Sequence, residues 1–90
     1  MTDHFNIDPE LLSLLRTNPE NHYSVVISCE ESPLALKKTL TALGIVINGE
    51  VTEFQLLYAK LAYNQLSLIH KCNGIEWVEA DTSVHTNLDV

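Results

Sequence analysis

Basic residues are scarce in this chain. Its 90 residues include five Lys plus Arg against twelve Asp plus Glu, for a net charge of −7. A surface with that balance repels phosphate backbones, so nucleic acid is not an expected partner. It suits a neutral or basic protein surface instead. Long apolar runs are also missing. None approaches the ~20 residues a membrane span requires, so no membrane partner is expected either. The opening MTDHFNIDPE lacks both a basic n-region and an apolar h-region. It does not read as a signal peptide as written, and the expected location is cytoplasmic as encoded.

Cysteine is sparse, and Cys29 and Cys72 stand too far apart for a metal or redox motif. They read as small buried hydrophobes. The expected topology brings the end of the first strand near the end of the second helix, so a disulfide between them is conceivable, but the cytosolic expectation opposes it. His4, His22, His70 and His85 show no zinc spacing, so neither metal nor cofactor is expected. Local Ser-His-Asp or Cys-His motifs are absent as well, and the sequence predicts no enzyme.

What is present is a normal apolar fraction, 46%, enough for one ordered domain. Asp8 can cap a short helix that begins at Pro9 and stops at Asn18-Pro19. Tyr23 to Cys29 is rich in β-branched residues and predicts a strand. Ser32 and Pro33 open a second helix, Gly44 closes it, and Leu36, Leu40 and Leu43 form its apolar stripe. Residues 45–47 predict a short strand, Asn48-Gly49 a hairpin turn, and the run from Val51 the returning strand. Asn64 is expected to cap a further helix, with Leu66 and Ile69 inward and Asn73-Gly74 at its end. IEWVEA, residues 75–80, predicts the last strand.

The order β-α-β-β-α-β predicts an α+β, ferredoxin-like fold: a four-stranded antiparallel sheet with two helices on one face, plus a short N-terminal helix. The chain divides into an arm at 1–20, a domain at 21–81 and an extended tail at 82–90. Alternation along the third strand sets Phe54, Leu56 and Tyr58 against Leu57, Ala59 and Leu61. In the last strand it sets Ile75 and Trp77 against Val78 and Ala80. Both faces are apolar, yet two helices cover only one. The other face is either a partner surface or is covered by the N-terminal helix through Leu11, Leu12, Leu14 and Leu15.

Several occupants of this fold fit poorly. Hydrolysis of acyl phosphates requires a phosphate-cradling loop after the first strand, where Glu30 and Glu31 stand. Metal chaperones require C-x-x-C in that loop. RNA-recognition relatives require basic residues around strand aromatics, and Tyr23 and Tyr58 alone do not meet this.

Trp77-Val78-Glu79-Ala80-Asp81, followed by Thr82-Ser83-Val84-His85, resembles the end of the last strand in the propeptides of subtilisin-like serine proteases. That family also includes free-standing protease inhibitors. Leu61, Leu66, Ile69 and Ile75 match its spacing back through the second helix. The resemblance spans roughly residues 23 to 87, with residue-level similarity in the last thirty. It implies an inhibitor or folding assistant whose open sheet face docks on a subtilisin-like serine protease, and which is a monomer when free. By the same resemblance Glu79, Asp81 and Glu53 are docking acids at helix N-termini of the protease. Thr82, Ser83, Val84, His85, Thr86, Asn87 and Leu88 form the tail that lies in the substrate cleft. Val84 fills an apolar subsite and Asn87 aligns with the specificity pocket, although the chain runs on through Leu88-Asp89-Val90. No protease domain follows, which implies a separate module. Two other functions remain open: a regulatory small-ligand module resembling ACT domains, against which the glycine-free Glu30-Glu31-Ser32-Pro33 loop counts, and an interaction module for some other protein.

Overall fold

The computed structural model describes residues 6–81. It is an α+β domain with three helices and one five-stranded mixed sheet. The elements are β1 (Asn6–Ile7), α1 (Pro9–Thr17), β2 (Tyr23–Cys29), α2 (Pro33–Ala42), β3 (Val46–Val51), β4 (Leu56–Leu61), α3 (Leu66–His70) and β5 (Ile75–Ala80). Short 3-10 turns at Thr52–Phe54 and Tyr63–Gln65 precede β4 and α3. The spatial order is β1-β5-β2-β4-β3. No helix among the described residues is long and apolar enough to cross a membrane.

The sheet departs from the four-stranded antiparallel expectation by one strand. Asn6 and Ile7 add to β5 in parallel, opposite Trp77 and Val78. The Asp8 amide donates to the Val78 carbonyl at 2.8 Å, and the Asp8 carboxylate accepts from Leu11 N at 3.3 Å. One residue thus closes the strand pairing and caps the helix that follows.

α1 then packs on the side of the sheet that α2 and α3 cover. Leu11 and Leu15 are fully buried in one cluster with Leu36 and Leu40 of α2, Ile69 of α3 and the inward strand residues. Burying such a leucine contributes about 1.5–3 kcal/mol. α1 is therefore part of the core and does not cover the opposite face. Leu14, also expected in that cover, remains 43% exposed.

α2 forms as its signals predict, with Leu34 N donating to Ser32 Oγ at 3.3 Å. Gly44 at φ +91 ends it, which lets Ile45 N reach back to the Leu40 carbonyl. Leu43 sits at the helix end and is more than a third exposed, so the inward stripe stops at Leu40. α3 is shorter than expected. Asn64 lies inside the preceding 3-10 turn, and Gln65 supplies the local bond by accepting from Ala62 N at 2.9 Å.

Asn48-Gly49 is not a hairpin turn. β3 runs through it to Val51, with a register shift between Ile47 and Gly49 that leaves Asn48 as a bulge residue. Gly49 is not among the positive-φ glycines, Gly44 and Gly74, whereas the hairpin turn of an Asn-Gly pair needs positive φ at both residues. The reversal occurs at Thr52–Phe54, where Gln55 takes the left-handed conformation, φ 56 and ψ 47.

Candidate functional site

The face of the sheet opposite the helices can be read from strand register. Trp77, Ser28, Leu56 and Val51 form one row across β5, β2, β4 and β3. Glu79, Val26, Tyr58 and Gly49 form the next. Asp81 continues the β5 ladder by donating its amide to the Ser24 carbonyl at 2.9 Å, and Ser24, Lys60 and Val46 complete a third row. Asn6 extends the first row, opposite Trp77.

This face is apolar toward one end and charged toward the other. Val26, Leu56, Tyr58, Trp77 and Val51 are half-buried. None of them belongs to the core cluster or to the side chains packed against it. Glu79 and Lys60 are exposed. No helix among the described residues lies over the face, because α1, α2 and α3 all contribute to the single cluster on the other side.

A bulge in β5 decides which residues arrive here. Cys29 pairs with Ile75 and Ser28 with Trp77, so Glu76 is the extra residue. Simple alternation placed Ile75 and Trp77 together. The bulge separates them, so that Ile75 joins Val78 in the core and Trp77 joins Glu79 on the open face. The Trp77 indole Nε1–H donates to Glu79 Oε1 at 3.2 Å, which holds ring and carboxylate side by side. The expected split of β4 matches the structure for Leu56 and Tyr58 against Leu57, Ala59 and Leu61. Phe54 lies before the strand, in the 3-10 turn, and is 71% exposed.

The proposed docking acids do not all meet. Glu79 and Asp81 lie two residues apart on one face and one edge of the grid. Glu53 sits in the β3–β4 turn, beside the end of β2, where Cys29 N donates to the Gln55 carbonyl. Asp81 sits beside the start of β2. Glu53 is thus at the opposite end of the sheet from Asp81. Thr82, Ser83, Val84, His85, Thr86, Asn87 and Leu88 lie outside the described residues. The residues that sequence reasoning missed are Val26 and Val51, which share the open face. Val26 was legible in principle, as it alternates with the inward Val25 and Ile27, whereas the placement of Val51 depended on the Asn48 bulge.

Among the described residues, the reactive groups in the interior are thiols. Cys29 and Cys72 are free and buried. Burial pushes the Cys29 thiol from 9.0 up to about 11 and raises Cys72 in the same direction. No group of three or more His, Cys, Asp or Glu side chains among the described residues could hold a metal ion.

No family model, curated protein or solved structure matches this chain.

Proposed function

We propose that this chain is a docking module for a subtilisin-like serine protease, acting as its inhibitor or folding assistant. The observation that supports this most is the uncovered apolar face with Trp77 and Glu79 joined at its β5 edge. The element order β2-α2-β3-β4-α3-β5, with strands arranged β5-β2-β4-β3, is the ferredoxin-like arrangement to which β1 has been added.

In this proposal the helices of the protease lie across Val26, Leu56, Tyr58 and Trp77. Glu79 and Asp81 face the unpaired N–H groups at their N-termini, where the dipole favours carboxylates. β5 ends at Ala80, so Glu79 and Asp81 stand together at the C-terminal corner of the strand. Thr82 to Leu88 then pair as an added strand in the substrate cleft.

The test is a titration against a panel of subtilisin-like proteases, with a variant lacking residues 82–90 beside the full chain. The full chain inhibits at least one of them at micromolar concentration or below, and the shortened chain keeps its melting temperature but not its inhibition. Absence of inhibition across the panel overturns the proposal.

A further inference from the structure

We infer that the groove between α1 and α3 binds a small amphipathic carboxylate, of the medium-chain fatty-acid kind. The groove is open to solvent and has a volume of about 580 Å³, a size within the roughly 300–1,000 Å³ usual for small-molecule sites. Ile7, Leu12 and Leu66 provide its apolar walls, and Tyr63, His70 and Lys71 its polar lining. Ile7 and Leu66 pack against the core cluster, which fixes those walls from behind. The site lies on the helical side of the sheet, away from the open face, and does not depend on the protease proposal.

Charge selects the ligand class. The chain has only five Lys plus Arg, and one of them stands in this groove. The ion pair among the described residues joins Lys37 to Glu50 at 2.8 Å, so the Lys71 ammonium has no carboxylate partner among the described residues. A carboxylate at Lys71 supplies that partner and can also accept from the Tyr63 hydroxyl. Its alkyl chain then runs along Ile7, Leu12 and Leu66. α3 spans only five residues, Leu66 to His70, and so offers a wall too short to seat a partner helix of several turns.

The experiment is an amide-resolved NMR titration of the full chain with decanoate, and with decanol as the uncharged comparison. Decanoate shifts residues 7, 12 and 63–71 with a Kd of about 0.1–1 mM, and decanol binds roughly tenfold more weakly. Lys71→Glu lowers the decanoate affinity roughly tenfold and leaves decanol unchanged. Ser67→Phe, at an exposed position lining the groove, blocks both ligands while the melting temperature holds. Three results overturn the inference: shifts centred on Val26, Tyr58 and Trp77, equal affinity for acid and alcohol, or no shift at about 5 mM.

Discussion

The two faces of the sheet use similar residues and meet different fates. On the helical side Val25, Ile27, Leu57, Ala59, Leu61, Ile75 and Val78 are at most 1% exposed. On the other side Val26, Leu56, Tyr58 and Trp77 come from the same strands and remain half-buried. Hydrophobicity does not separate the two sets. Three amphipathic helices are available, all three pack on one side, and what they leave over is a surface. An apolar face kept without intramolecular burial contributes little to folding, which is why it is the place to look for a partner.

The comparison can be broken most directly in the core. Leu57→Ala should cost about 2–5 kcal/mol in urea denaturation, through lost transfer energy and the cavity left behind. Val26→Ala, one strand over on the open face, should cost well under that, about 0.5 kcal/mol. Equal losses would mean that the open face is covered after all. Leu11→Ala belongs with the core set, at about 2–5 kcal/mol. A loss below about 0.5 kcal/mol would instead make α1 a detachable arm.

Asp8→Ala tests the junction between β1 and α1. It should cost about 1 kcal/mol by removing the cap on Leu11 N, and the Trp77 emission should change little, as the Asp8 amide bond to β5 is retained. The buried thiol provides a pH test of the helical side. Because the folded Cys29 pKa is raised from 9.0 to about 11, its contribution is complete below about 9. It falls as pH rises through that window, since the unfolded chain ionises first. Cys29→Ser should flatten that alkaline slope in denaturation measured across the window, and an unchanged slope would assign it to other groups. The smallest expected effect is a gain. Gln55→Gly relieves the left-handed backbone at φ 56 and should stabilise by about 0.5–1 kcal/mol.

Much of the fold was legible because its signals are local. Ser32, Pro33 and Gly44 bound α2, Asp8 and Pro9 open α1, and β-branched residues mark β2. The misreadings have a common physical source. Asn48 and Glu76 are bulge residues, and a bulge is defined by the partner strand rather than by its own sequence. Asn48-Gly49 carries the composition of a turn, but cross-strand pairing with β4 absorbs it. Of the proposed docking residues, all assigned by resemblance, Glu79 lies within the quoted motif, and the structure sets it beside Trp77. Glu53 was placed by resemblance alone and lies at the far end of the sheet.

By itself the sequence determined the order of helices and strands from α1 onward, the caps that bound α1 and α2, and a net charge of −7. These follow from backbone propensity, capping and composition, which act within a few residues or not through the fold at all. Only the tertiary structure decided which face each apolar strand residue occupies, that β1 joins β5 in parallel, and that α1 seals the core instead of the open face. Those outcomes depend on register between distant segments, and a one-residue bulge is enough to send Trp77 to one side of the sheet and Ile75 to the other.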